Sequence, residues 1–239
     1  MAGPAVGRQR AAEHGAGVGM AFGPGEHLWK ATAMRGRLIT IEGLDGTGKT
    51  TLADALADVL RGAGRDVLAL REPGGVELSE RIRTLVKDPG LEVDPLAEAL
   101  LYAAARAQLV AERVEPALAA GTWVLLDRFV DSSLAYQGVG RGLGVEAVRD
   151  VNRFATGGLR PDRTLLLRAD ASTRAARQVG RGQAPDRLER EDDAFFDAIA
   201  GAYDALAAAE PERFRVLEAG ASPQAVLAAA LAALADVAR

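Results

Sequence analysis

The stretch Gly43-Leu44-Asp45-Gly46-Thr47-Gly48-Lys49-Thr50 limits the folds open to this chain more than any other feature. It fits G-x-x-x-x-G-K-[ST], whose backbone N–H groups wrap phosphate oxygens when the loop joins a strand to a helix. The flanks meet that condition. Arg37 to Glu42 reads as a short buried strand, and Leu52, Ala55, Leu56, Val59 and Leu60 recur at the spacing of one helical face. The glycines keep Cβ atoms out of the loop, and the helix start offers unpaired N–H groups and the positive end of its dipole. Lys49 is placed to reach β- and γ-phosphates, and the Thr50 hydroxyl to hold Mg²⁺. The stretch implies that the chain binds a nucleoside triphosphate, on residues Gly43 through Thr51.

Composition narrows the remaining classes. The chain has 239 residues and a formal net charge of -4, so a broadly basic nucleic-acid surface is not indicated. No 18-residue uninterrupted apolar run occurs, which argues against a membrane span. There is no cysteine, so disulfides, thiolate zinc sites and thiol nucleophiles are excluded, and the absence fits a reducing cytoplasm. The only histidines, His14 and His27, precede the presumed domain, so histidine acid catalysis is not expected. Phosphoryl transfer tolerates that, because it depends mainly on positioning and charge stabilisation. Lysine occurs only at Lys30, Lys49 and Lys87, and one of the three falls in the loop.

Residues 1–33 are Gly- and Ala-rich and lack periodicity, and read as a disordered N-terminal extension ahead of a folded domain over 34–239. Within that domain apolar runs predict further strands at Val67–Leu70, Trp123–Asp127, Thr164–Leu167 and Phe214–Leu217. Between them lie helical stretches. Leu78, Ile82, Leu85 and Val86 mark the inner face of one, and Asp94-Pro95 starts another that runs to about Ala120, with a kink near Pro116. Helices are also expected from about Ser132, over 145–154, 171–180 and 191–209, and after a Ser222-Pro223 cap. Residues 181–187 read as a polar Arg/Gly/Pro loop. The alternation predicts an α/β protein: one five-stranded parallel sheet with helices on both faces.

A phosphate loop alone does not separate kinase, GTPase, motor or switch. Ligands in such sheets gather at the carboxyl ends of the strands. There the chain offers Arg71-Glu72-Pro73-Gly74-Gly75, then Asp127-Arg128-Phe129, then the Arg-rich loop after the fourth strand. Asp127 is placed either to hold Mg²⁺ or to cap the strand end, and Arg128 either to hold a phosphate monoester or to pair with Asp127. Tyr102 and Arg106 share a helical face, as a ring and a guanidinium that could stack on a base and bond its edge, or as core edge and surface charge. A GTPase would need an Asn-Lys-x-Asp-type segment, which three lysines at positions 30, 49 and 87 do not allow. A nucleic-acid-dependent ATPase fits poorly with the acidic balance, and another nucleoside monophosphate kinase is the nearer alternative.

Taken together, Gly43–Thr50, Arg71–Gly75, Leu101–Arg106, Asp127–Gln137 and Asp186-Arg187-Leu188-Glu189 occur in the order seen in bacterial thymidylate kinases, and the chain from about Arg35 onward resembles that family. The run Asp-Arg-Phe-Val-Asp-Ser-Ser-Leu-Ala-Tyr-Gln is the most specific part of the likeness. The resemblance implies a three-layer P-loop nucleotide kinase fold with a mobile lid at about 180–190, transferring phosphoryl from Mg·ATP to dTMP, commonly as a homodimer. It implies roles by position. Tyr102 matches the ring that stacks on thymine, and Arg106 the arginine at its edge. Arg83 and Arg128 match the arginines on the dTMP phosphate, and Glu72 lies in the segment lining the acceptor pocket. Ser133 and Gln137 match residues at the base, and Tyr136 the ring beneath the deoxyribose that disfavours a 2′-hydroxyl. One subclass carries a catalytic arginine inside the phosphate loop, where this chain has Asp45. The other uses lid arginines, and here the lid region has Arg177, Arg181 and Arg187, of which Arg181 and Arg187 are the expected catalytic groups alongside Lys49 and Arg128.

Overall fold

The computed structural model describes residues 35–180, 182 and 184–237. The expected N-terminal extension over 1–33 lies outside them. Strand β1 (Leu38–Glu42) leads through the phosphate loop into helix α1 (Lys49–Gly62), and β2 (Val67–Arg71) is followed by α2 (Glu77–Lys87). Helix α3 (Pro95–Leu109) passes through a π-helical turn at Val110–Val114 into α4 (Glu115–Ala119), and β3 (Trp123–Asp127) follows. Then come α5 (Val130–Ser133), a second π-helical run at Leu134–Gly140, and α6 (Val145–Thr156). Strand β4 (Arg163–Arg168), α7 (Ala171–Val179), α8 (Asp193–Ala209), β5 (Phe214–Glu218) and α9 (Pro223–Ala233) complete the order.

All pairings are parallel and the sheet runs β2-β3-β1-β4-β5. The chain therefore leaves β1 to one side for β2 and β3, then crosses to the other for β4 and β5. That reversal opens a crevice at the carboxyl ends beside β1, where the phosphate loop sits. Alternate residues face opposite layers. Ile39, Ile41, Leu125, Leu165 and Leu167 pack with Leu52, Leu56 and Leu60 of α1 and with Val226 and Ala230 of α9. On the opposite face Leu38, Val124 and Leu126 meet Leu109, Val114 and Leu118. The same side of β1 and β4 also carries Thr40 and Thr164, both fully buried and bonded hydroxyl to hydroxyl at 2.8 Å.

Both expected proline starts hold: Asp94 Oδ1 accepts from the Leu96 and Ala97 N–H groups, and Ser222 Oγ from Ala225 N–H. Three expectations shift. The irregularity in the long helix is a π-turn just before Pro116, which lacks the N–H that Glu112 would otherwise receive and crowds that carbonyl, so the turn widens. The buried face of α1 uses Ala53 and Ala57 rather than Ala55 and Val59, because the helix lies flat between β-layer and α9. On α2 Ser79, Ile82 and Val86 are buried, while Leu78 and Leu85 stay about half exposed. A helix resting on one neighbour buries only one stripe, so extra leucines outside it remain in water.

Leu56 sits at the centre of the α1 face with no exposed surface. Leu56→Ala is expected to lower unfolding stability by about 2–5 kcal/mol, read from urea denaturation, whereas the exposed cap change Asp94→Ala should cost about 1 kcal/mol.

Candidate active site

The phosphate loop begins where β1 ends and α1 starts, and its geometry needs glycine. Gly43, Gly46 and Gly48 have φ of 136°, 83° and 94°. A Cβ on Gly43 would lie 2.5 Å from the Leu167 carbonyl oxygen, and one on Gly46 2.7 Å from that of Arg174. Lys49 opens α1 and is 6% exposed. Its Nζ donates to the Leu44 carbonyl at 2.9 Å and stands 3.9 Å from Asp45 Oδ1. Burial, and then Arg128 nearby, lower its pKa from 10.5 to about 8. Thr50 Oγ1 donates to Asp127 Oδ2 at 2.6 Å, which joins the loop to the end of the neighbouring strand. These two oxygen donors, one neutral and one acidic, suit a hard cation that keeps several waters and takes phosphate oxygens as well.

A cavity of about 660 Å³ runs from this loop across the strand ends. Its far half is built by α2, α3 and the segment after β3. Arg128 has φ of 73°, an unusual backbone for a side chain, and it bridges the two halves. Its guanidinium donates to Asp45 at 2.8 Å, to Ser132 Oγ at 3.0 Å and to Tyr136 Oη at 3.2 Å, with its carbon 5.0 Å from the centre of the Tyr136 ring. Burial works against the Asp45 carboxylate, yet Arg128 and then Lys49 outweigh it and hold its pKa well below the usual range. Arg106, 2% exposed, spends its donors on Glu72, Ser133, Asn152 and the Phe129 carbonyl. Burial pushes Glu72 upward against the pull of Arg106, and its Oε1 is buried with no partner among the described residues. Arg83 donates to the Pro73 carbonyl at 2.9 Å.

Behind the loop, Glu42 is fully buried at the end of β1. It accepts from Phe129 N–H at 2.8 Å, Ser132 Oγ at 2.6 Å and Tyr203 Oη at 3.0 Å. It thereby fixes the start of the segment that carries Arg128 and Ser133. Desolvation, with Asp131 as a further charge, raises its pKa from 4.5 to about 7.

The structure brings most of the expected residues together. Asp45 to Thr51, Glu72, Arg83, Tyr102, Arg106, Asp127, Arg128, Ser133, Tyr136 and Gln137 all line the one cavity. Gly43 and Leu44 border a smaller cleft on the other side of the loop. Arg187 does not line the cavity. Its Nε donates to the Val86 carbonyl at 3.0 Å and its Nη2 to Glu98 at 2.5 Å, because a buried carboxylate there attracts it. Arg181 lies outside the described residues. Arg177 does reach the loop, donating to the Thr47 carbonyl at 3.2 Å and to the Ala219 carbonyl at 2.8 Å. Sequence reading missed Glu42, Glu98 and Asn152. Glu42 repeats the pattern noticed at Asp127, an acid closing an apolar strand. Glu98 precedes Tyr102 and Arg106 by four and eight residues on one helical face, a spacing that was there to be read.

A five-stranded parallel sheet with a phosphate loop facing a second arginine-lined pocket defines the P-loop nucleoside monophosphate kinase class. Comparison with known proteins narrows it. The thymidylate kinase family profile matches residues 41–230. The thymidylate kinase of Rhizorhabdus wittichii is 48% identical over 206 residues, covering 85% of this chain and 99% of that protein. The thymidylate kinase of Deinococcus radiodurans is 50% identical, covering 77% and 89%. Among solved structures, thymidylate kinase from Ehrlichia chaffeensis aligns with a TM-score of 0.62 at 30% identity, over 77% of this chain and 93% of that one. The chain belongs to the thymidylate kinase family.

The raised pKa of Glu42 has a definite sign. Between pH 4.5 and 7 the folded state binds the extra proton and the unfolded state does not, so stability falls as pH rises through that window. Glu42→Gln should flatten this fall, by up to about 3 kcal/mol between pH 4.5 and 7.5 in paired urea titrations of variant and wild type.

Proposed function

We propose that this enzyme transfers the γ-phosphoryl group of ATP to dTMP, giving dTDP and ADP for dTTP synthesis, in the cytoplasm. The observation that carries this reading is Arg128. It joins Asp45 of the phosphate loop to Tyr136 of the second pocket, so the two halves of one cavity share a cation at their boundary.

ATP lies with its phosphates on Gly43 to Thr51, over the N-terminal N–H groups of α1. Lys49 leaves the Leu44 carbonyl for the β- and γ-oxygens. dTMP lies opposite, its phosphate on Arg83 and Arg128, its base against Tyr102 and at the edge formed by Arg106, Ser133 and Gln137. The Tyr136 ring occupies the space beneath the sugar where a 2′-hydroxyl would fall. Two anions must come close, and these cations offset their repulsion while holding acceptor oxygen and γ-phosphorus in line. No general base is required, since the acceptor phosphate is already anionic. Magnesium, held by Thr50 and Asp127 together with phosphate oxygens, would add charge stabilisation at the transferring group. Arg177 borders the loop on the lid side, and Arg181 is the further lid arginine that the sequence offers for the γ-phosphoryl. Closure of the lid excludes water and so suppresses ATP hydrolysis.

We read the active form as a homodimer. Leu78 and Leu85 on α2 and Leu96 and Leu100 on α3 are 47%, 48%, 54% and 49% exposed. Each helix thus keeps an apolar stripe in water, of the kind a second copy covers. In sedimentation equilibrium the wild type should run as a dimer, and the pair Leu85→Glu with Leu96→Glu as a monomer.

One coupled assay of ADP release across dTMP, dUMP, dCMP, AMP and GMP tests the activity, with dTMP expected to turn over fastest. Fast turnover of a purine acceptor would rule the reading out. Lys49→Ala should lower kcat by about 10²–10³-fold. Arg128→Ala should raise KM for dTMP by roughly 10–100-fold, and KM for ATP far less.

A further inference from the structure

Glu98 sits in the first turn of α3 and is completely buried. Donors surround both of its oxygens. Gln137 Nε2 bonds Oε1 at 2.8 Å, and Arg141 Nε reaches the same oxygen at 3.3 Å. Oε2 takes Arg141 Nη2 at 3.3 Å and Arg187 Nη2 at 2.5 Å. One oxygen therefore serves the wall of the acceptor pocket and the other serves the segment after α7. Arg141 is pinned in turn by Glu191 at 2.6 Å and lies over the Phe195 ring.

A carboxylate accepts hydrogen bonds, so only the NH₂ corner of a side-chain amide can face it. Which corner of a glutamine carries nitrogen is normally decided from its neighbours, and here the neighbour leaves one answer. Gln137 is itself 2% exposed and lines the cavity. We infer that Glu98 is a specificity-determining positioning residue: by holding Nε2 of Gln137 toward itself, it presents Oε1, an acceptor, to the base pocket. A pocket wall with an acceptor there takes a pyrimidine with N–H at ring position 3, as in thymine or uracil. It refuses cytosine, which has a lone pair at that position. Gln137 cannot adapt by turning over, because its carbonyl would then face the Glu98 carboxylate with water excluded. This inference rests on the dTMP reading of the pocket and adds the residue that sets its polarity.

The test measures kcat/KM for dTMP and for dCMP, with KM for ATP alongside, in wild type and in Glu98→Gln. Wild type should favour dTMP by about 10³-fold or more, as sites built around a required hydrogen bond do. In Glu98→Gln, whose amide can offer either corner, the ratio should fall by about tenfold or more, with KM for ATP unchanged within about twofold. A parallel loss on both acceptors, with the ratio kept, would make Glu98 a mere support of the fold and overturn the inference while sparing the dTMP reading. A wild type that phosphorylates dCMP as readily as dTMP would instead sink that reading itself. Arg187→Leu removes one guanidinium from Glu98 and leaves Gln137 bound, so its ratio should stay at the wild-type value. An equal fall there would trace selectivity to the lid and overturn the inference. Should Glu98→Gln fail to fold, Glu98→Asp makes the same comparison: it keeps a counter-charge for both arginines and withdraws the oxygen from Gln137 by one methylene.

Discussion

A cation withdrawn from water must find an acceptor, and this requirement shapes the centre of the molecule. Lys49, Arg106 and Arg128 are all largely buried, and each is matched: Arg106 by Glu72, Lys49 and Arg128 by Asp45. The matching is incomplete along the cavity. Asp127 stands near Lys49 and Arg128 as well, yet over the whole lining lysines and arginines outnumber carboxylates, so positive charge remains between low-dielectric walls, where an anion feels it most. Had every cation its own acid, the cavity would be stable and inert toward phosphate.

The sheet turns that electrostatic demand into geometry. Loop, Asp127 and Glu72 stand at the carboxyl ends of three strands that are neighbours in space, β1, β3 and β2, although far apart in sequence. Hydrogen bonds across those ends then fix the distances. Thr50 to Asp127 ties β1 to β3, Glu72 N–H to the Asp127 carbonyl ties β2 to β3, and Arg128 to Asp45 closes the circuit. Glu42 anchors the same region from beneath, through the Phe129 backbone and Ser132. Side chains held this way keep their places without substrate.

Much of this was legible in the sequence, and the reasons are physical. The inner strands β1, β3 and β4 are buried on both faces and have to be short apolar runs, and the edge strands β2 and β5 keep enough apolar residues that all five could be read. The proline-led helix starts at Asp94 and Ser222 carried their own capping chemistry. Site residues came through the phosphate loop and through segments resembling one family. What failed to show was anything set by a neighbour. Leu78 and Leu85 fit an inward helical stripe, yet only one layer packs on α2, and its choice of face lies outside the sequence of that helix. Arg187 looked free because nothing local reveals the carboxylate of Glu98, 89 residues away in the chain. Asn152 hides in the same manner on the buried face of a charged helix, where its amide oxygen accepts from Arg106 and its nitrogen donates to the Val148 carbonyl. The π-turns, too, depend on crowding that a periodicity count averages out.

The bond from Lys49 to the Leu44 carbonyl has a consequence of its own. At rest the loop is content, with its ammonium group bound to its own backbone rather than waiting for a partner. An ammonium group carries three donors, so that bond need not be given up before an arriving phosphate oxygen is met. A polyphosphate tail can then take over the whole group, and the lysine exchanges one oxygen partner for another without standing bare in a dry wall at any stage.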